Sequence, residues 1–264
     1  MKLTQLEFKT FQDIIFDKIG ISLSDDKLNL VQSRLYSRLV YYKIKSFSQY
    51  LHILERNNQE IVHMVNLITT NETYFFRESK HFDFLEKVVK KTKTNKVTRI
   101  WSAAASVGAE AYSCAMILDN FLNKNQWEIV GTDINTDVIK KAKQGLYCES
   151  WVTKIPLKYK EKYCLKGKGR FDGQFIVDRK LLHNVNFHTH NLMQINKSFG
   201  TFDVIFLRNI LIYFSNDQKQ KILDNILENL NVGGFIIISL TENLDGLNIR
   251  NLIKYQSSIY QRIE

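Results

Sequence analysis

Short apolar runs alternate with amphipathic segments in the second half of the chain, and this alternation most constrains the fold. The runs "VTRIWSAAA", "WEIVGTDI", "FDVIFLRN" and "GGFIIISLTE" have the composition of buried strands. Between them stand the helical patterns "GAEAYSCAMILDNFL", "NTDVIKKAKQGLY" and "SNDQKQKILDNILENL". Strands that alternate with helices predict a parallel sheet with right-handed crossovers. Residues 97–264 are therefore expected to form one α/β domain.

Residues 1–72 show helical periodicity instead. Gly20 is a stop signal within this region, and "SDD" at 24–26 is a start signal for the next helix. We expect a small all-helical domain here. Residues 73–96 are expected to form a linker and a connecting helix between the two domains.

The positive charge of the chain admits two interpretations. The 264 residues carry a formal net charge of +10, which serves solubility or attracts an acidic partner. The charge is spread along the chain without an Arg-rich tail, so no nucleic acid partner is expected. Arg34 and Arg38 share one helix face. That face is either solvated or a docking face for an acidic protein.

Cysteine usage and hydropathy bear on the compartment. The three cysteines are widely spaced, which argues against a disulfide framework and against a cysteine metal site. The N-terminus lacks an apolar stretch of signal-peptide length, and no apolar run approaches the length of a bilayer span. These observations predict a cytoplasmic protein with no metal site and no direct membrane insertion.

Residues 148–190 interrupt the alternation of strands and helices. The segment "GKGRFDG" places three glycines within seven residues, and alternating segments follow it. Tight turns of this kind predict a small antiparallel β insertion, at about 164–190.

Candidate binding residues follow the predicted strands, because open α/β sheets bind ligands at the carboxyl ends of their strands. Small residues and Gly108 follow the first strand, and a helix starting near Glu110 offers free backbone N–H groups. The segment lacks both the G-x-G-x-x-G fingerprint and the phosphate-binding loop. Asp133 follows the second strand, where an acidic side chain can accept both ribose hydroxyls of an adenosine ligand. Its alternative role is a helix N-cap.

Arg208 and Asn209 end an otherwise apolar strand, and Tyr213 follows them closely. Polar groups of this kind are costly to bury without partners. They are either a surface pair at the strand end or part of a functional site, and the nearby tyrosine favours the second interpretation.

Six segments occur in a fixed order: "NETYFFRE", "WSAAASVGAEAYSCAM", "TDIN", "FHTHNLM", "FDVIFLRNILIYF" and "GGFIIISLTENL". Together they resemble the motifs of the bacterial chemotaxis receptor methyltransferases, the CheR family. The resemblance runs from about residue 5 to the C-terminus. It departs from the family pattern at Val107, Ala109 and Ala111, where the family has Thr, often Glu, and Pro respectively. It departs again at Val232, Ser239 and Leu240, where the family has Pro, Gly and His.

The resemblance implies a fold, a cofactor and an activity. The fold is a small N-terminal helical domain followed by a class I S-adenosylmethionine-dependent methyltransferase domain, which is Rossmann-like and carries the β insertion. The cofactor is S-adenosylmethionine, with S-adenosylhomocysteine as product. The activity is the methylation of receptor glutamates to glutamyl methyl esters for sensory adaptation. No general base is then needed, because a glutamate with an ordinary pKa of about 4.3 is ionised at neutral pH.

The resemblance also implies site residues. Those that would contact the cofactor are Asn71, Thr73, Arg77, Glu110, Asp133, Asn191, Leu192, Leu207 and Arg208. Those that would lie beside the transferred methyl group, as catalytic residues, are Arg208, Asn209 and Tyr213. Phe75 and Phe76 are expected to wedge the helical domain against the α/β domain.

The implied partner is the cytoplasmic domain of chemotaxis receptors, met by a basic face of the N-terminal helices. A receptor C-terminal tail is a further candidate partner, through the β insertion, and the insertion as a purely structural hairpin is the alternative. A monomer is expected. Two other functions stay open: a non-catalytic scaffold that binds cofactor or receptor, and a class I methyltransferase with another substrate. The single proline excludes the N/D-P-P-Y motif of base-modifying enzymes.

Overall fold

The computed structural model describes residues 1–91 and 96–264. Residues 92–95, which fall within the expected linker at 73–96, lie outside the described residues. The helices of the N-terminal domain are α1 (Gln5–Ile19), α2 (Leu28–Tyr42), α3 (Phe47–Arg56) and α4 (Asn58–Ile68).

Helix α1 shows how the sequence sets these boundaries. Thr4 and Glu7 form a reciprocal capping box at its start, which satisfies backbone N–H groups that lack a partner within the helix. Gly20 ends the helix with a left-handed φ of 76°, a conformation that costs glycine little. The predicted stop is confirmed. Phe8, Phe11 and the other buried residues of α1 pack into one apolar core with α2, α3 and α4.

Arg34 and Arg38 are held by partners in their own domain. Arg38 donates two hydrogen bonds to Glu60, at 2.7 and 2.6 Å, and the Glu60 side chain is 1% exposed. Tyr50 donates to the same carboxylate at 2.6 Å. Arg34 donates to the carbonyl oxygen of Ile68. Arg38 is therefore neither solvated nor free to bind an acidic partner, whereas the partners of Arg34 are a carbonyl and the Thr70 hydroxyl, which do not neutralise its charge.

The α/β domain follows in the expected alternation. Its strands and those of its insertion are β1 (Thr98–Ala103), β2 (Trp127–Asp133), β3 (Leu146–Cys148), β4 (Cys164–Lys166), β5 (Gln174–Val177), β6 (Val185–Thr189), β7 (Phe202–Leu207), β8 (Leu230–Ile237), β9 (Leu252–Gln256) and β10 (Ile259–Arg262). Its helices are α5 (Lys80–Lys91), α6 (Ala109–Phe121), α7 (Thr136–Gln144), α8 (Leu157–Tyr163), α9 (Arg179–Leu182) and α10 (Asn216–Leu227).

The main sheet has the order β6-β2-β1-β7-β8-β10-β9. The first five strands are parallel, and β10 runs antiparallel to both β8 and β9. The chain order reverses beside β1, which pairs with β2 on one side and with β7 on the other. This is the predicted Rossmann-like arrangement, and its switch point marks where a ligand binds.

The small antiparallel sheet differs from the predicted insertion at both ends. Its order is β3-β5-β4, so it begins near residue 146 rather than near 164. Strand β6, which the predicted span at 164–190 included, pairs in parallel with β2 and belongs to the main sheet. Strand β3 has only three residues, too few to show a strand pattern in the sequence.

Phe75 and Phe76 do not wedge the two domains together, and that expectation was wrong. Most of their aromatic partners lie in the insertion, apart from Phe82 of α5, which packs against Phe76. Phe75 packs edge-on against Tyr147, with ring centroids 4.9 Å apart. Phe76 stacks on Tyr159 at 5.4 Å. Both phenylalanines belong to the core of the α/β domain, so they fix the insertion to that domain.

Polar contacts hold the helical domain on the α/β domain. The Asn66 side chain accepts from the backbone N–H of Thr136 at 3.0 Å, and the Asn135 side chain donates to the Asn66 carbonyl at 2.9 Å. The Gln218 side chain donates to the carbonyl oxygen of Gly20. Across the described residues, no helix is both long enough and apolar enough to cross a bilayer.

Candidate functional site

A cavity of about 320 Å³ lies where the carboxyl ends of β1, β2, β6 and β7 meet, beside the switch in strand order. The helical domain supplies its opposite wall. The residues of that wall are Ile19, Ile21, Ser22, Leu23, Ser24, Lys27, Leu30 and Ile68. The site is therefore built from both domains. Its volume falls in the range of about 300–1,000 Å³ that is usual for small-molecule sites.

The loop after β1 brings backbone close to the cavity. Ala104 and Ser106 have left-handed φ values of 70° and 50°, which are sparsely populated for residues with a side chain. Gly108 has φ of 87° and precedes α6, and a Cβ there would lie 2.9 Å from the Phe187 ring. Glycine at position 108 is thus required both by its left-handed φ and by the contact with Phe187.

Asp133 lies at the carboxyl end of β2 and lines the cavity. Its two carboxylate oxygens accept from the backbone N–H groups of Ser106 at 2.8 Å and of Asn135 at 2.9 Å. Burial raises the pKa of this carboxyl, and those backbone N–H groups oppose the shift. The N-cap of α7 is Asn135, so the N-cap role for Asp133 was wrong. A carboxylate has about four acceptor positions, and Asp133 retains acceptor capacity for two hydroxyl groups.

Arg208 connects the ends of β7 and α6 beneath the cavity. Its side chain is 2% exposed and donates to Glu110 at 2.7 Å and to the Arg77 carbonyl at 2.6 Å. The Glu78 carboxylate lies 3.4 Å from the same guanidinium. Ser102 donates to the other oxygen of Glu110 at 2.7 Å. The two terminal nitrogens of the Arg208 guanidinium thus bond to protein acceptors, while its Nε has no hydrogen-bond partner among the described residues.

The segment 71–77 crosses the cavity between the two domains. Asn71, Thr73 and Arg77 all line it. The Arg77 side chain donates to the Glu72 carbonyl at 2.9 Å and lies over the ring of Tyr74 at 5.8 Å. Neither contact neutralises its charge, because neither partner is an anion. Arg77 is therefore available to an anionic group in the cavity.

Asn191 and Leu192 follow β6 and line the cavity, but Leu207 does not. The Asn191 side chain donates to the Lys18 carbonyl at 3.1 Å and accepts from the N–H of Met193 at 3.0 Å. Leu207 is fully buried in the core around β7. The structure thus brings together all of the predicted site residues except Leu207.

Asn209 and Tyr213 lie on the loop after β7. Asn209 has a left-handed φ of 56°, and its backbone N–H donates to Glu242 at 2.9 Å. Leu211 donates to the other oxygen of Glu242 at 2.9 Å. Tyr213 packs against the core of the helical domain, and its carbonyl accepts from the N–H of Ser22 at 3.4 Å. Asn209 and Tyr213 both line the cavity.

Three features of the site were missed in the sequence. His190 lines the cavity, and burial lowers the pKa of its imidazole. Glu242 anchors the loop after β7, and its only signal was its place in "SLTENL". The cavity wall from the helical domain could not be predicted from the sequence, because apolar helix residues are normally interpreted as core residues. Among the residues that the structure describes, no cluster of side chains suited to a metal ion occurs.

Comparisons with known proteins agree with this geometry. Residues 6–69 match the family described as "CheR methyltransferase, all-alpha domain", and residues 71–259 match "CheR methyltransferase, SAM binding domain". The chain is similar to the chemotaxis protein methyltransferase of Borreliella burgdorferi, at 34% identity over 93% of this chain and 91% of that protein. The one from Escherichia coli is 33% identical over 97% and 91%.

A third relative, chemotaxis protein methyltransferase 2 of Pseudomonas aeruginosa, is 35% identical over 91% of this chain and 87% of that protein. These matches cover both domains and nearly the full length of each relative. The second family description also names the ligand that suits the cavity, S-adenosylmethionine. The chain belongs to the CheR methyltransferase family and is an S-adenosylmethionine-dependent methyltransferase.

Proposed function

We propose that this chain methylates glutamate side chains in the cytoplasmic domain of chemotaxis receptors and forms glutamyl methyl esters. The observation that carries the proposal is the cavity itself, which has the cofactor-binding strand ends on one side and the all-helical domain on the other. The relatives named above are chemotaxis methyltransferases, which supports the receptor as substrate.

The cavity residues fit S-adenosylmethionine group by group. The buried carboxylate of Asp133 accepts the ribose hydroxyls. The unneutralised guanidinium of Arg77 binds the carboxylate of the methionine moiety, as a charge-assisted pair. The loop 104–108 lets the ligand approach the backbone closely. Arg208 holds Glu110 and Arg77 in place from below the cavity.

The bound cofactor supplies an activated methyl group on a sulfonium, so the protein needs mainly to position the acceptor. A glutamate carboxylate enters as an anion and requires no base. Placing two reactants in attack geometry contributes on the order of 7–11 kcal/mol. We assign this positioning to Asn209 and Tyr213, because both line the cavity and both lie on the loop that Glu242 anchors.

The test is methyl transfer from labelled cofactor to purified receptor fragments, followed by mass mapping of the product. We expect label on glutamates that alkali releases, because methyl esters hydrolyse under those conditions and methylated amines do not. Receptor fragments with Glu→Gln at the mapped positions are the control. Alkali-stable label would favour a different acceptor.

Cofactor binding without transfer would favour the alternative of a non-catalytic scaffold. Titration calorimetry with S-adenosylhomocysteine tests cofactor binding by itself, since the proposed enzyme binds it with micromolar or tighter affinity, and the labelling assay tests methyl transfer. No heat from folded protein would contradict the cofactor assignments made to Asp133 and Arg77.

We also propose that the chain acts as a monomer in the cytoplasm, and that the insertion binds a receptor C-terminal tail. Among the described residues, the outer strands of the small sheet, β3 and β4, each pair with a neighbour on one side only. A peptide can add to such an edge through backbone hydrogen bonds. Titration with tail peptides tests this, and sedimentation tests the monomer. No saturable binding would leave the insertion as a structural hairpin.

A further inference from the structure

Ser239 is a buried serine two residues beyond β8, and its hydroxyl, which has one proton, lies within hydrogen-bond distance of several polar groups. It is 0% exposed. Its Oγ lies 2.8 Å from Oε1 of Glu78 and 2.8 Å from Nδ2 of Asn209. The Thr241 hydroxyl lies 3.1 Å away and can be donor or acceptor. A serine hydroxyl donates one hydrogen bond and accepts two, so the neighbours decide which way each bond runs.

Glu78 accepts the hydrogen bond that this hydroxyl donates. An ionised carboxylate is an acceptor only. Burial opposes the ionisation of Glu78, but the N–H of Leu240, the charge of Arg208 and the hydroxyl of Ser239 together lower its pKa. The Leu240 N–H donates to Oε2 of Glu78 at 2.8 Å. Ser239 therefore donates to Glu78.

The remaining bond fixes the side-chain amide of Asn209. Since the Ser239 proton is already used, its oxygen can only accept, and Asn209 must present Nδ2 to it. The opposite orientation would place two oxygens against each other without a proton between them. The backbone of Asn209 is held independently by Glu242. Within the described part of the chain, Oδ1 of Asn209 has no hydrogen-bond partner, and this side chain lines the cavity.

We propose that Ser239 is a positioning residue, which, held by Glu78, turns the carbonyl oxygen of Asn209 toward the cavity. A carbonyl oxygen there favours the cationic sulfonium of the cofactor, a charge that S-adenosylhomocysteine lacks. It also withholds the amide N–H groups, which would otherwise bind an acceptor carboxylate and reduce its nucleophilicity. This inference rests on the proposed function and adds a positioning residue to it. Ser239 is not called catalytic, because it is not among the residues that line the cavity.

The test is a double-mutant cycle on methyl transfer to receptor fragments. Ser239→Ala should lower kcat by about three- to tenfold, the equivalent of one neutral hydrogen bond, while the Kd for S-adenosylhomocysteine stays unchanged. The same substitution in an Asn209→Ala background should change kcat no further. Asn243→Ala, an exposed change in the same loop, is the matched control. Equal losses in both backgrounds would mean that Ser239 acts independently of Asn209 and would overturn the proposal.

A second measurement needs neither activity nor a variant that folds. In spectra of the wild-type protein, the Nδ2 protons of Asn209 should show nuclear Overhauser contacts to the β protons of Ser239. Their absence would overturn the assigned orientation even if the enzyme is active. If the contacts are present and no methyl transfer to receptors occurs, the proposed function fails while the geometry stands.

Discussion

Phe76 and Arg77 are adjacent, but we expect Phe76 to contribute to stability and Arg77 to contribute to cofactor binding. Phe76 is 8% exposed, stacks on Tyr159 and packs at a tilt against Phe82. Replacing a buried phenylalanine by alanine lowers the free energy of unfolding by about 3–5 kcal/mol. Because Phe76 is slightly exposed, we expect Phe76→Ala to lie at the lower end, about 3 kcal/mol. Alanine inherits the left-handed φ of 54°, so the substitution relieves no backbone strain.

Arg77→Ala removes a weak intramolecular set of contacts. The side chain has one hydrogen bond to the Glu72 carbonyl and a ring contact with Tyr74. Together these contribute about 1–2.5 kcal/mol, which is less than the loss expected at Phe76. The bond that Arg208 donates goes to the Arg77 backbone, and alanine keeps it. The loss of a charge-assisted bond to the cofactor is about 1.5–3 kcal/mol, or about 10- to 150-fold in Kd.

The assay pairs urea unfolding with calorimetry on S-adenosylhomocysteine for both variants. We expect Phe76→Ala to lower the unfolding midpoint strongly and to bind nearly normally while folded. We expect Arg77→Ala to lower the unfolding midpoint less than Phe76→Ala does, and to bind weakly. The reasoning is refuted if Arg77→Ala loses as much stability as Phe76→Ala, or if the two variants bind equally well.

Three other changes have calculable outcomes. Asp133→Ala should weaken the binding of S-adenosylhomocysteine about 10- to 100-fold in calorimetry. It should also lower stability, since two backbone N–H groups lose their acceptor. Asp137→Ala is the control, because this half-exposed side chain on the next helix should affect neither binding nor stability. Glu60→Gln should cost about 3 kcal/mol in urea unfolding, because it breaks a buried ion pair, and an unchanged midpoint would contradict the assigned pairing. Burial, and then the charge of a neighbouring arginine, lower the pKa of His81 from 6.5 to about 4. The unfolded chain binds the extra proton between these values, so stability should fall as pH drops below 6.5. His81→Gln should flatten that slope and the exposed His52→Gln should not, as urea midpoints on either side of pH 6.5 would show.

Much of the fold was predictable because its signals are local. Gly20 ends α1 through its own backbone preference, and the strands of the main sheet stand out as short apolar runs. Asp133 was placed by its position after a strand. Each of these inferences uses residues that are close together in the sequence.

The errors share a different physical origin. Arg38 looked solvent-facing because its partner, Glu60, is 22 residues away. Phe75 looked like an interdomain wedge because its neighbours, such as Tyr147, lie in an insertion far along the chain. Ser239 looked like a simple departure from the family pattern, and only the fold shows Glu78 beside it, 161 residues away. Long-range pairing is invisible to periodicity and spacing.

The cavity between the two domains has a thermodynamic consequence. A ligand that touches both walls binds only when the domains are docked, so its binding free energy is also a docking free energy. At a free concentration of 100 times Kd, the linkage contributes about 2.7 kcal/mol. Saturating S-adenosylhomocysteine should therefore merge the melting of the helical domain with that of the α/β domain into one cooperative transition.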